Sequence, residues 1–143
     1  MENNFIKISR LISGNYRYGS AYLQRALKKL KLGSSQHAYL LVIRDKPGIS
    51  QEGLASHFMV DKANVTRVVS NLIKNGFIKR EKHDLDKRCM HLTLSKKGES
   101  AIPVIEDILS GWAKQCLKGI KEKDLKTALN VLDIMFSNSS KLI

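Results

Sequence analysis

The stretch from Ser50 to Gly76, SQEGLASHFMVDKANVTRVVSNLIKNG, decides how the rest of the chain is read. Ser50 is placed to cap a short helix that contains Leu54, Ala55 and Phe58, and Asp61 is placed to cap a second helix. The second runs to Asn75-Gly76, a pair suited to ending a helix in a left-handed turn. At 100° per residue Val65, Val68, Val69, Leu72 and Ile73 fall on one side of it. Ala63, Arg67, Ser70 and Lys74 fall on the other, flanked by Asn64, Thr66 and Asn71. The first side must be buried, and the second can offer hydrogen bonds to a partner. A short helix, a tight turn at Met59-Val60-Asp61 and a second helix with a polar outer face make up a helix-turn-helix, whose second helix has the diameter of a DNA major groove.

Downstream the period of the pattern changes from 3.6 to 2. From Phe77 to Lys82 and from Cys89 to Leu94 apolar and polar residues alternate, with Met90, Leu92 and Leu94 on one face and Cys89, His91 and Thr93 on the other. The spacing predicts a β-hairpin with a charged tip, His83 to Arg88, longer than a two-residue turn. A hairpin directly after a helix-turn-helix forms a wing, which can reach an adjacent minor groove and its phosphates.

Upstream, Phe5, Ile8, Ile12, Tyr16, Leu23, Leu27 and Leu30 recur at steps of three and four, with Gly19 interrupting the stripe. This predicts a long amphipathic helix ended by Gly33-Ser34. Ser34 or Ser35 can cap the next helix, whose run Ala38, Leu40, Leu41, Val42 and Ile43 implies half-burial, with a stop at Lys46-Pro47-Gly48. At the other end Ser95 can cap a long helix carrying Ile102, Ile105, Leu109, Trp112 and Cys116 as a narrow seam, with a kink expected at Pro103. After Gly119 a last helix carries Leu125, Leu129, Leu132 and Phe136. These terminal seams have no lobe of their own to cover them and are expected to pack between two copies of the chain.

The 143 residues include 25 Lys and Arg against 13 Asp and Glu, a formal charge of +12. Residues 1–43 carry +6, residues 44–98 carry +6, and residues 99–143 are neutral. Such asymmetry concentrates a field that attracts a polyanion, so nucleic acid is the first partner to consider. Two cysteines do not make a disulfide-stapled secreted fold, and there is no long apolar run. A reducing, cytoplasmic setting and no membrane partner are expected. A Gly-rich phosphate loop, a nucleophile elbow and a paired-acid site are all missing, which argues against an enzyme. Cys89, His91 and His83 could converge on the hairpin, but nothing orients them, so neither metal nor cofactor is assigned.

Taken in order, several phrases resemble the multiple-antibiotic-resistance regulator (MarR) family of winged-helix proteins. They are Gly48-Ile49-Ser50-Gln51-Glu52-Gly53-Leu54-Ala55, Val60 to Val69, Asn75-Gly76-Phe77-Ile78, the wing phrase Asp86-Lys87-Arg88 and Leu94-Ser95-Lys96-Lys97-Gly98. The resemblance implies a mainly α fold with a small β-hairpin wing, a single domain over 1–143. Its winged helix-turn-helix lobe would span about 34–98, flanked by dimerisation helices at about 1–32 and 99–143. It implies a homodimeric transcriptional regulator, a repressor on an inverted repeat of double-stranded DNA, released by a small aromatic or anionic effector.

Under that resemblance Arg67 and its neighbours meet the major groove, Arg88 enters the minor groove, and Asp86 holds the Arg88 guanidinium in place. The residues themselves agree for Arg67, which can bond guanine O6 and N7, and for Ala63, which can meet a thymine methyl. Ser70 and Asn71 depart from the acidic-then-basic pair common in the family. The full expected DNA-binding set is Ser50, Gln51, Lys62, Ala63, Asn64, Thr66, Arg67, Ser70, Asn71, Lys74, Lys82, Asp86, Lys87 and Arg88. Tyr16, Tyr39 and Trp112 are the candidates for lining an effector cleft. The alternative is a basic winged helix that binds RNA or a protein, disfavoured because exposed aromatic pairs for stacking unpaired bases are lacking.

Overall fold

A computed structural model describes residues 1–33, 35–82 and 90–142, with Lys82 described through its backbone alone. Ser34 as a cap, the tip residues His83 to Arg88, Cys89 and the side chain of Lys82 lie outside the described residues. The described chain forms two compact units, Met1–Trp112 and Ala113–Ile143.

In the first unit α1 runs from Glu2 to Ala26 and tightens into a 3-10 turn over Leu27–Leu30. The helix therefore stops before the expected Gly33. The left-handed residue that ends it is Lys31, at φ 57°. Leu27 is fully buried and Leu32 nearly so. Placing both in the core outweighs the preference of a left-handed turn for glycine. Gly19 does not break the helix. A Cβ there would make an ordinary contact, 3.5 Å, with the Trp112 indole nitrogen, so the ring lies against α1 at a distance that a small side chain would also allow.

Helix α2 spans Gln36–Asp45 and buries Tyr39, Leu40 and Ile43. Ser35 does not cap it, because its backbone is already helical and its hydroxyl makes no capping bond. Gln36 works in the opposite direction, its Oε1 accepting the Gly33 N–H at 2.9 Å. Arg44 joins α2 to the helix that carries Glu106, donating to Asp45 Oδ1 at 2.8 Å and to Glu106.

Helices α3, Gln51–Phe58, and α4, Lys62–Lys74, form the helix-turn-helix. Their turn passes through Met59 at φ 52°, an exposed non-glycine residue in the left-handed region. The apolar row of α4 is buried as the periodicity requires: Val65, Val69 and Leu72 are inaccessible. Each such side chain contributes about 1.5–3 kcal/mol, so this row rather than any surface bond fixes the rotation of α4 about its axis. Gly76, at φ 77°, ends the helix, and the Phe77 N–H bonds back to Leu72 O at 2.9 Å.

Strands β1, Ile78–Lys82, and β2, Met90–Leu94, pair antiparallel in the register Ile78 with Leu94 through Lys82 with Met90. The hairpin is joined by a third segment that alternation alone did not reveal. Ile49 bridges Leu92, with Gly48 N–H to Leu92 O at 3.0 Å and Leu92 N–H to Ile49 O at 3.1 Å.

Helix α5 spans Lys96–Cys116 and is continuous through Pro103. Its start is knotted to the end of α4. Ser95 Oγ accepts the Gly98 N–H at 3.0 Å and donates to Gly76 O at 2.6 Å, and Lys97 Nζ donates to Asn75 O at 2.7 Å while lying over the Phe77 ring. Gly98 is packed so closely that a Cβ would sit 2.1 Å from Phe77 O.

The second unit holds the last residues of α5, a turn at Gly119 with φ 83°, and α6, Glu122–Ser140. No residue of α6 is buried, and its Leu129, Leu132, Ile134 and Phe136 are exposed. Among the described residues no helix is long and apolar enough to cross a membrane.

Gly98→Ala should lower stability by about 2–3 kcal/mol or more, since a carbonyl cannot yield as a flexible side chain can. Met59→Gly, which relieves a left-handed side chain with little burial to lose, should raise it by roughly 0.5–1 kcal/mol. Urea unfolding of the two variants checks both signs.

Candidate nucleic-acid interface and adjoining cleft

The interface begins with two caps. Ser50 Oγ accepts the Gly53 N–H at 3.0 Å and Asp61 Oδ1 accepts the Asn64 N–H at 2.7 Å, so α3 and α4 both start on satisfied donors. Ser50 was expected to meet DNA, yet its oxygen is half-buried and already accepts one hydrogen bond, which leaves its hydroxyl proton and one lone pair for a partner. Gln51 Oε1 accepts the Thr66 hydroxyl at 3.1 Å. This bond turns the Gln51 amide nitrogen away from Thr66 and fixes two of the expected contact residues relative to each other.

Lys62 is exposed but not idle, since its ammonium lies 2.6 Å from Glu52 Oε1. Lys62 holds the Glu52 carboxyl below the usual carboxylate range, first through that hydrogen bond and then through its charge. Both side chains are about three-quarters exposed, so water competes strongly and the pair can open towards a phosphate. Glu52 was not among the expected site residues. A pair ten positions apart on two helices leaves no periodic signal in the sequence.

Along the outer face of α4, Ala63, Thr66, Arg67, Ser70, Asn71 and Lys74 are all exposed and Asn64 is half-buried. The structure therefore brings Ser50, Gln51, Lys62, Ala63, Asn64, Thr66, Arg67, Ser70, Asn71 and Lys74 onto the α3 and α4 surface. Lys79 and Arg80 on β1 are exposed as well, cations that the sequence reading did not include. Lys82 lies on β1, its side chain outside the described residues, as are Asp86, Lys87 and Arg88.

Arg67 has a second neighbourhood. A cleft of about 740 Å³ opens beside α4, and Tyr16, Tyr39 and Trp112 all line it. Asn64, Arg67 and Val68 line it from α4. The helical wheel explains this: Asn64 and Arg67 lie on the flank next to buried Val68, not on the flank of Thr66 that faces α3. Tyr39 is buried and stacked on Phe58 at 4.4 Å, and Trp112 is stacked on Tyr22 at 4.8 Å. Both are packing residues that also show an edge to the cleft, while Tyr16 is largely exposed. Burial raises the pKa of the Tyr39 phenol; the Arg67 charge pulls it down and Asp61 adds to the rise.

An exposed polar helix face held on a buried apolar row, followed by a two-stranded wing, defines a winged helix-turn-helix DNA-binding protein. Comparison with known proteins narrows the class. The sequence model of the MarR family matches residues 32–90. The HTH-type transcriptional regulator BilQ of Clostridioides difficile (strain CD3) is 27% identical over 128 residues, 90% of this chain and 86% of that protein. A MarR transcriptional regulator from Methanosarcina mazei Go1 superposes with a TM-score of 0.85 at 29% identity, covering 95% of this chain and 98% of the other. A MarR family regulator from Listeria monocytogenes solved in complex with 26mer DNA gives 0.84 at 27% identity, with 90% and 86% covered. Residues 32–90 thus match the MarR family of transcriptional regulators, and the structure of the chain superposes on regulators of that family over nine-tenths of its length.

Asp61→Ala removes the acceptor that starts α4 and should cost about 1 kcal/mol, while Asp61→Asn should retain most of it. Thermal unfolding of the pair separates loss of the cap from loss of the charge.

Proposed function

We propose that this protein is a homodimeric repressor that reads an inverted repeat in double-stranded DNA through α4. The observation that carries the reading is the division of α4 into an inaccessible row at Val65, Val69 and Leu72 and an exposed polar face centred on Ala63, Arg67 and Ser70. Arg67 and Ala63 supply base contacts, and Gln51 and Thr66 act as a bonded pair at the groove edge. Lys62, Lys74, Lys82 and Lys87 supply phosphate contacts, and Arg88, oriented by Asp86, enters the minor groove.

The dimer is supported by unburied apolar side chains in each unit: Phe5, Ile6, Ile8, Leu11 and Ile12 on α1, and Leu129, Leu132, Ile134 and Phe136 on α6. Exposed apolar rows in each unit call for a partner, and a closed twofold pair is the simplest one. In this arrangement residues 1–32 and 99–143 hold two winged lobes, 34–98, so that their α4 helices enter successive major grooves about 34 Å apart. Repression, and release by a small aromatic or anionic effector bound near Tyr16, Tyr39 and Trp112, are the parts carried over from the family.

Selection of bound duplexes from a random pool should enrich a palindrome, with a footprint over two successive grooves and a dimer in sedimentation at micromolar concentration. Arg67→Ala should cost roughly 1–3 kcal/mol and relax preference at one base pair, whereas Lys82→Ala should weaken all sequences alike. A steep salt dependence with no enriched motif, or tighter binding to RNA, would count against the reading.

A further inference from the structure

We infer that a depression at the foot of α5 binds a small phosphorylated molecule through Lys29, Lys31 and Lys97. No residue of α3 or α4 lines it, and the inference goes beyond the DNA reading without depending on it.

The 3-10 turn that ends α1 and the first turns of α5 border a space of about 320 Å³, at the small end of ligand sites. Leu30, Phe77 and Ala101 form apolar walls. Lys29 and Lys31 come to it from one segment and Lys97 from another far along the chain. A round space of that volume is about 8.5 Å across, comparable with the Debye length of roughly 8 Å in physiological salt, so cations around it repel one another. No acidic side chain lines the space, and among the described residues no carboxylate pairs with any of the three lysines.

Two of these cations are held there against a local preference. Lys31 sits in the left-handed region at φ 57° and ψ 32°, where glycine would carry no strain. Burial of Leu27 and Leu32 accounts for the turn but not for a lysine in it. Lys97 stands in the first turn of α5, the end of a helix where a cation is disfavoured. Its Nζ is fixed by Asn75 O at 2.7 Å and lies 4.4 Å from the centre of the Phe77 ring, which leaves two ammonium protons for a further acceptor. An anion in the depression relieves the repulsion among the lysines and meets the positive end of α5 at once.

The donors decide the class of anion. No arginine lines the space, so the planar fork that suits a carboxylate is missing. Ammonium groups act as point charges and bind phosphate well in that role. A phosphomonoester, with a charge of about −1.5 to −2 and three acceptor oxygens, answers three ammonium groups better than a single carboxylate can.

The probes are inorganic phosphate and pyrophosphate, with acetate as the carboxylate, titrated by calorimetry into the full-length protein at an ionic strength fixed with chloride. One pyrophosphate should bind per chain, and acetate should bind at least about tenfold more weakly. Lys97→Met also removes a bond of the joint between α4 and α5, so the deciding variant is Lys29→Gln with Lys31→Gly. Its glycine should raise the melting temperature of the ligand-free protein while pyrophosphate affinity falls at least about tenfold. Lys28→Gln with Lys118→Gln removes the same formal charge outside the depression and should bind pyrophosphate as the wild type does. Unchanged binding by the first double variant, equal weakening in both, or acetate as tight as pyrophosphate would overturn the inference. Duplex binding without pyrophosphate separates a free phosphate from the DNA backbone. The two double variants should lose duplex affinity equally, and a larger loss in Lys29→Gln with Lys31→Gly would assign these cations to DNA instead.

Discussion

The approach of Gly98 to the Phe77 carbonyl is the constraint on which the rest of the arrangement hangs. That oxygen already accepts the Ser95 N–H at 3.0 Å, and there is no room beside it for even a methyl group. Around this point Ser95 and Lys97 tie off the carbonyls of Gly76 and Asn75. The end of α4, the root of the hairpin and the first turn of α5 are thereby one rigid joint. A helix that presents a polar face outward gains nothing from that face in stability. Its orientation must come from its buried row and from its ends, and here both ends are pinned, by Asp61 at the start and by this joint at the finish.

Much of this was legible in the residues. The caps at Ser50, Asp61 and Ser95, the buried row of α4, the left-handed stop at Gly76 and the alternation in β2 are local signals, and each depends on neighbours within a few positions. What escaped depends on distance in the chain. The end of α1 is set by burial of Leu27 and Leu32 rather than by Gly33, and Ser35 gives way to Gln36 as the partner for an orphan N–H. The bridge from Ile49 to Leu92 spans more than forty residues, and one residue has no period to detect. Of the candidate site, the faces of α4 could be drawn from the wheel. That Glu52 would engage Lys62, and that the Arg67 flank would border a cleft shared with Tyr16 and Trp112, needed the fold.

Charge on this surface is distributed by availability as much as by amount. Lys62 has a carboxylate within hydrogen-bond distance, Lys97 is occupied by a backbone carbonyl and an aromatic ring, and Arg44 bridges two carboxylates between α2 and α5. These cations serve the fold or must leave a partner before they meet another anion. Arg67 and Lys74 on α4 belong to the opposite group, exposed and without a carboxylate partner among the described residues. A net charge of +12 therefore overstates the field that an incoming polyanion meets at close range, and the uncommitted cations matter more than their number suggests.

The short segment at Ile49 has a consequence for the colloidal behaviour of the chain. By taking both backbone groups of Leu92, it occupies the outer side of β2 at mid-strand, so among the described residues the longer open edge of the hairpin is the far side of β1. That side carries Lys79, Arg80 and Glu81, all solvated. A neighbouring molecule seeking to extend the sheet would have to strip water from charged side chains to pair there. The described part of the hairpin is thus guarded against edge-to-edge pairing on both of its strands.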